Sequence, residues 1–249
     1  MTKLRHLLGA TAAIALLGLA APANAATKNV VLVHGAFADG SGWKPVADLL
    51  IKDGYTVSIV QPPETSLEDD VAATNRVLDA LDGPAVLVGH SYGGMIISEA
   101  GNHQNVNSLV YVAAFMPEVG ESLGKLQASN PAPARTVVPT KDGAFLLLDR
   151  ATFHANFAAD LPKAQADFMA ISQVPLSVKS AGGESIKPAW KTKPSYAIVA
   201  TNDRAINPDL ERSMYKRANA TTIELKAAHT VYISQPKAVV KMIEQAASK

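Results

Sequence analysis

The chain has 249 residues, 48% of them hydrophobic, with 23 Lys and Arg against 22 Asp and Glu and a formal net charge of +1. One α/β domain accommodates that length with a core large enough to be stable unaided, and the balanced charge, without a basic cluster or stripe, excludes a nucleic-acid-binding surface. Cysteine is absent, which excludes disulfides, thiolate metal sites, a cysteine nucleophile and a lipid-modified N-terminal cysteine.

The first 25 residues read as a secretion signal rather than as part of the fold. Lys3 and Arg5 precede an apolar run of 15 residues, Leu7 to Ala21, and Ala23-Asn24-Ala25 supplies the small residues of a cleavage site after Ala25. The run is too short for a bilayer span, so no stable membrane anchor is expected after cleavage. Removing the leader leaves 21 basic against 22 acidic residues. The expectation is an exported, periplasmic or secreted protein, with residues 26–249 forming one domain.

Asn29 to Val33 is a short, β-branched, fully apolar run of the kind that makes a buried strand. It ends at His34-Gly35-Ala36-Phe37. Trp43 to Asp53 has apolar residues at helical spacing and stops at Gly54. Thr56 to Val60 is a second strand. Ser66 can cap the next helix, whose first turn carries Glu68, Asp69 and Asp70 and whose inner face carries Val71, Val77, Leu78 and Leu81. A third strand, Ala85 to Val88, is followed by a helix running to about Gln104, and Ser108 to Ala113 is a fourth strand. After a long interval come a strand at Ser195 to Ala200, a helix from Pro208, a strand at Thr221 to Leu225 and a last helix from Pro236, both prolines suiting first-turn positions. This alternation predicts a mostly parallel, doubly wound sheet of about six strands, with its site beyond the carboxyl ends of the strands.

Phe115 to Lys193 breaks the rhythm. Pro131, Pro133, Pro139, Pro162, Pro175 and Pro188 fall within it, and its helical pieces, about 151–158 and 161–171, lack an intervening strand. It reads as a helical cap, residues 115–193, inserted over the edge of the sheet.

The chemistry centres on Gly89-His90-Ser91-Tyr92-Gly93, a G-x-S-x-G turn between a strand and a helix. Such a turn strains the serine and lifts its hydroxyl above the sheet, and the flanking glycines avoid collisions that a β-carbon would cause. A serine hydroxyl needs an adjacent base, and the base needs a partner to fix its tautomer. His229 follows the last strand and is the candidate base, the alternative being a surface loop histidine. Asp203 follows the preceding strand and is the candidate acid, the alternative being an ion pair with Arg204. Asp209 and Glu211, on the next helix, are worse placed to orient an imidazole. His103 and His154 fall on expected helices as solvated residues, His90 points away from the serine, and His34 braces its loop. The order Ser91, Asp203, His229 suits the serine triad of this architecture. The backbone N–H groups of Ala36 and Tyr92 are the expected oxyanion donors. Phe37, Trp43, Phe115 and Met116 are expected to line an apolar pocket. No cofactor or metal is needed.

Val31-Leu-Val-His-Gly-Ala-Phe37, Gly89-His-Ser-Tyr-Gly-Gly94, Asn202-Asp-Arg204 and His229-Thr-Val-Tyr-Ile-Ser-Gln-Pro236 together resemble the α/β-hydrolase superfamily across essentially all of residues 26–249. Within it the chain is most similar to the small serine esterases grouped with plant methyl esterases and hydroxynitrile lyases, which also lack the two leading strands of the full fold. The resemblance implies hydrolysis of small or medium uncharged carboxylic esters through an acyl-enzyme. Plant hydroxynitrile lyases carry a threonine after the first-strand histidine and a lysine after the catalytic one; Gly35 and Thr230 stand here instead, which favours ester hydrolysis. Dehalogenases of this fold use an aspartate nucleophile, which Ser91 argues against. Lyase chemistry, lactone or carbon–carbon hydrolysis on the same residues, and a non-catalytic ligand-binding role are the alternatives.

Overall fold

The computed structural model describes residues 27–134 and 136–248, so the expected leader lies outside the described residues. In chain order, β1 (Asn29–Val33) leads to α1 (Lys44–Lys52), β2 (Thr56–Val60), α2 (Leu67–Asp79), β3 (Ala85–His90), α3 (Gly93–Ala100) and β4 (Val106–Val112). The next segment holds α4 (Leu123–Ser129), β5 (Val137–Pro139), β6 (Phe145–Leu148), α5 (Phe153–Phe157), α6 (Lys163–Ile171), β7 (Leu176–Ser177) and α7 (Val178–Gly182). The alternation then resumes with β8 (Ser195–Ala200), α8 (Pro208–Arg217), β9 (Thr221–Leu225), α9 (Val231–Ser234) and α10 (Pro236–Ala247).

Six strands form one sheet in the order β2-β1-β3-β4-β8-β9, and every pairing is parallel. Side chains alternate between faces along each strand, so β1 sends Val31 and Val33 to one layer and Val30 and Leu32 to the other. The first layer is completed by Leu87, Met95, Leu109 and Tyr215, the second by Val86, Val88, Leu50, Val239 and Ile243. Helices cover both faces, which is why the strands read as unbroken apolar runs. The chain runs from β1 outward to β2 and then returns past β1 to β3, so strand order reverses between β1 and β3. Crevices at such a reversal are where open α/β sheets hold ligands.

Local chemistry sets the helix ends. Ser66 Oγ accepts the Asp69 N–H at 3.1 Å at the start of α2, and Asn207 Oδ1 accepts the Asp209 N–H at 3.0 Å at the start of α8. The helix after β3 ends at Ala100 rather than near Gln104. Strand β4 begins at Val106, where the residue is fully buried against β3, and residues 101–105 are consumed in the turn that reaches it.

The segment between β4 and β8 contains α5 and α6 within the spans expected for helices. It also forms a three-stranded antiparallel sheet, β5-β6-β7, that the sequence did not announce. Strands this short carry no measurable alternation. Leu148, Phe153, Phe157, Leu161 and Ala166 give this segment a small core of its own.

Candidate active site

Strand β3 ends in the tight turn that carries Ser91, whose φ of 54° lies in the left-handed region that residues with a β-carbon disfavour. The flanking glycines are steric necessities. A β-carbon on Gly89 would lie 2.6 Å from the Gly93 carbonyl oxygen, and one on Gly93 would lie 2.8 Å from the carbonyl oxygens of both Val33 and His34. The start of α3 therefore packs against the end of β3 and the end of β1 only with glycine at these positions. The turn is held by the Ser91 N–H, which donates to the Ala113 carbonyl at 3.2 Å beyond the end of β4.

Asp203 lies in the turn after β8, 2% exposed, with Oδ1 accepting the N–H groups of Ala205 at 2.7 Å and Ile206 at 3.0 Å. That pair of bonds fixes the rotamer and leaves Oδ2 for His229, whose Nδ1 lies 2.5 Å away. A carboxylate only accepts, so the proton sits on Nδ1 and the other ring nitrogen is free to accept. His229 Nε2 lies 2.8 Å from Ser91 Oγ. Three groups distant in the chain thus form one continuous relay. Arg204 turns away from Asp203 and donates through Nε to Asn156 at 2.9 Å.

The N–H groups of Ala36, after β1, and Tyr92, at the start of α3, flank Ser91 and donate to no acceptor among the described residues. Both residues are buried, at 3% and 0% exposure. Unpaired buried amides are costly unless something else accepts from them. Here they face the cavity into which the Ser91 hydroxyl opens. Gly35 permits the approach, since a β-carbon there would sit 2.5 Å from Ser91 Cβ.

A cavity of about 440 Å³ lies over these groups, roofed by the segment between β4 and β8. Phe37, Phe115, Leu146, Leu148, Phe157 and Ile206 supply much of its wall, and none of the described lining residues is Asp, Glu, Lys or Arg. Phe37 and Phe115 stand where the sequence expected them. Trp43 and Met116 do not. Trp43 is fully buried in the layer on the other side of the sheet, its ring 4.6 Å from that of Tyr232, and Met116 is fully buried with its N–H directed at Met214 Sδ at 3.4 Å. Proximity to a strand end in sequence does not say which way a side chain turns.

Several supports of the relay escaped the sequence. The His90 ring packs 4.6 Å from that of His229, and its Nε2–H donates to the His229 carbonyl at 3.0 Å, so it points away from Ser91 yet steadies His229. Burial, and then the neighbouring His229, hold the His90 pKa well below its ordinary value, so the ring is neutral. Phe157 packs its ring 4.8 Å from His229 on the cavity side. Asp160, between α5 and α6, accepts from Ala228 N–H at 3.0 Å, Thr230 Oγ at 3.2 Å and Ser234 Oγ at 2.7 Å, bracketing the histidine. His34, kept neutral by burial, lies with Nδ1 3.0 Å from the Gly35 carbonyl oxygen in the loop of Ala36. His103 lies in the turn beyond α3, with Nε2 3.0 Å from Asp79, and His154 on α5 lies with Nε2 3.0 Å from the Leu161 carbonyl oxygen. Among the described residues no group of three or more His, Asp or Glu side chains is arranged to hold a metal ion.

Residues 30–242 match the model of the alpha/beta hydrolase family. The chain belongs to that family. This α/β-hydrolase is 26% identical over 247 residues to a pyrethroid hydrolase of Sphingobium wenxiniae, covering 86% of each chain. It is 35% identical over 111 residues to a carbendazim hydrolyzing esterase of Nocardioides, a match spanning 38% of this chain and 45% of that one. Its fold is shared with the crystal structure of a pyrethroid hydrolase from Sphingobium faniae, at a TM-score of 0.76 and 22% identity, over 89% of this α/β-hydrolase and 97% of that chain.

Proposed function

We propose that this hydrolase cleaves carboxylic esters of small or medium, uncharged, largely apolar substrates through a serine acyl-enzyme. The observation that carries the reading is the 2.8 Å approach of His229 Nε2 to Ser91 Oγ, with Asp203 at 2.5 Å behind it, beneath a cavity walled by apolar side chains. The relatives named as an esterase and as a pyrethroid hydrolase support ester cleavage as the reaction class.

In this mechanism Ser91 Oγ attacks the ester carbonyl carbon as its proton passes to His229 Nε2. Asp203 stabilises the imidazolium that forms and keeps the ring aimed. The carbonyl oxygen becomes an oxyanion held by the amides of Ala36 and Tyr92, donors that need no reorganisation because the backbone already fixes them. His229 then gives its proton to the departing alkoxide, the carbon–oxygen bond breaks, and the alcohol leaves an acyl group on Ser91. Water attacks that acyl group with His229 again taking the proton, and collapse of the second tetrahedral species releases the acid and restores the serine. Aromatic and aliphatic walls exclude water from the acyl group and favour neutral substrates. The hydroxyl of Thr230, next to the base, is held by Asp160, so no cation adjoins His229 there, which speaks against lyase chemistry.

The reading is tested by labelling with a fluorophosphonate and mapping the modified peptide, together with turnover of p-nitrophenyl esters. Label on Ser91, and loss of both label and turnover in Ser91→Ala, are the expected results. Label on another residue, or turnover that survives Ser91→Ala, overturns it. We further propose that the chain is exported after cleavage following Ala25, a reading supported by Lys3, Arg5 and the apolar run that follows. The N-terminal mass of protein recovered from the periplasm tests this, and an intact Met1 there would refute it.

A further inference from the structure

The first turn of α8 sends its two acidic residues in opposite directions. Asp209 faces solvent and pairs with Arg212 at 2.6 Å. Glu211 is 0% exposed and turns inward to the end of β8, where Oε2 accepts the Ala200 N–H at 3.2 Å. Its other oxygen finds no donor among the described residues, and Asp203 is its neighbour at the same residue, the Asp203 N–H donating to the Ala200 carbonyl at 3.0 Å. Two fully buried carboxyl groups side by side cannot both be ionised without a cation between them. Among the described residues no Lys or Arg pairs with either. Arg212 reaches out to Glu224 at 2.8 Å, and Tyr215, on the same helix, spends its hydroxyl on the Ala114 carbonyl at 2.8 Å.

The count of donors decides which carboxyl keeps the charge. Asp203 accepts from two backbone N–H groups and from His229, whereas Glu211 accepts from one N–H. The carboxylate belongs to Asp203 and the proton to Glu211. We infer that Glu211 is a fourth member of the relay, a positioning residue whose carboxylic acid donates a hydrogen bond to Asp203 and holds that carboxylate charged and aimed at His229. Burial first, and the charge of Asp203 second, push the Glu211 pKa well above the usual carboxylate range, in agreement with the donor count. The inference rests on the reading of Ser91, His229 and Asp203 as the catalytic groups, and it gives a helix acid that sequence position alone disqualifies a part in it.

Glu211→Gln and Glu211→Leu separate this role from plain packing. The glutamine amide can still accept from Ala200 and donate to Asp203, while leucine does neither. With p-nitrophenyl butyrate, Glu211→Gln is expected to keep kcat within roughly threefold, and Glu211→Leu to lose roughly tenfold to a hundredfold in kcat with little change in KM, the range for one hydrogen bond to a charged group. Wild-type activity falls at alkaline pH as Glu211 gives up its proton and sets a second negative charge against Asp203; in Glu211→Gln that limb moves to higher pH. The infrared difference between wild type and Glu211→Gln at neutral pH, which requires no turnover, contains the carbonyl band of a protonated carboxylic acid. Absence of that band, or the same alkaline limb in both proteins, overturns the inference. Ser91→Ala run in parallel distinguishes the two levels: activity that survives it overturns the serine mechanism itself, whereas an inactive Ser91→Ala beside a wild-type kcat in Glu211→Leu overturns the role of Glu211 alone.

Discussion

The hydroxyl of Tyr92 donates to Asp70 Oδ2 at 2.6 Å, both groups being buried. One residue thereby serves two regions, with its amide at the cavity and its side chain tied to the first turn of α2. Asp70 Oδ1 also accepts the Glu64 N–H at 2.6 Å, so the carboxylate links the loop after β2 to the nucleophile turn. Tyr92→Phe leaves that buried carboxylate one donor short, which is expected to cost about 1–3 kcal/mol of stability. The amide stays in place, so kcat/KM should fall by less than about tenfold. Urea denaturation and ester kinetics on the same preparation check the pair of outcomes; a stable variant with abolished turnover would contradict it.

Glu64 presents the opposite situation. It is fully buried, its carboxyl oxygens make no close hydrogen bond among the described residues, the Phe37 N–H approaches it, and His34 Nδ1 stands 3.6 Å off. Burial, then the charge of Asp70, push its pKa up from 4.5 to about 9. A carboxyl whose folded value is raised binds its proton more tightly when folded, so stability is full below about pH 4.5 and declines as pH rises toward 9. Glu64→Gln keeps the shape and cannot ionise. Its melting temperature relative to wild type is expected to climb steadily from pH 5 to pH 8. A difference that stays constant across that window would show that Glu64 is ionised in the native protein.

Asp160 connects the segment between β4 and β8 to the loop of His229 through three accepted hydrogen bonds on either side of that residue. Asp160→Ala should loosen the histidine loop while removing little packing, because the residue lies at the surface. Expected is a roughly three- to thirtyfold fall in kcat with a melting temperature within about 3 °C of wild type. Asp160→Asn, which retains one acceptor oxygen, should fall between. Equal rates in all three proteins would make the clamp irrelevant to catalysis.

Gly35→Ala tests the fit of the Ala36 loop against Ser91 and, with it, the proposed oxyanion role of the Ala36 amide. Its β-carbon would lie 2.5 Å from Ser91 Cβ and 2.8 Å from the His90 carbonyl oxygen, and neither atom can swing aside. The loop must back away from Ser91, carrying the Ala36 amide with it. A loss of roughly a hundredfold or more in kcat/KM follows, the scale of one removed oxyanion donor. A variant retaining near wild-type kcat/KM would mean that Ala36 supplies no such donor.

The parts of the fold that sequence made legible are those in which local signals agree. The β-branched runs of β1, β3 and β8 each end at a glycine or polar turn, and their order with the helices leaves one parallel topology. Ser91, Asp203 and His229 were legible because each follows a strand directly, and the strand ends converge. What sequence hid depends on contacts distant in the chain. Asp70 looks like an ordinary first-turn acid until Tyr92, 22 residues on, is placed against it. Asp160 and Ala228 are separated by 68 residues, and nothing in the sequence around either names the other. Trp43 and Met116 have the composition of pocket walls but face the core, because the direction of a side chain near a strand end is set by packing that a single sequence does not display.

The roof of the cavity leaves the sheet after β4 and returns at β8, and these two strands are direct neighbours, paired from Leu109 with Ser195 to Val112 with Ile198. Because the two strands are parallel, its ends at Val112 and Ser195 are one strand spacing apart sideways and three residues apart along the strands, about 11 Å in all, whatever lies between them. Closing such an excursion costs only slowly more entropy as it lengthens, and no other strand need shift to admit a longer or shorter one. Ser91, Asp203, His229, Ala36 and Tyr92 all lie outside this excursion. The architecture thus lets the wall of the cavity be exchanged as a single cassette, with Asp160 the polar joint beside His229 that a graft must reproduce if that ring is to stay in line.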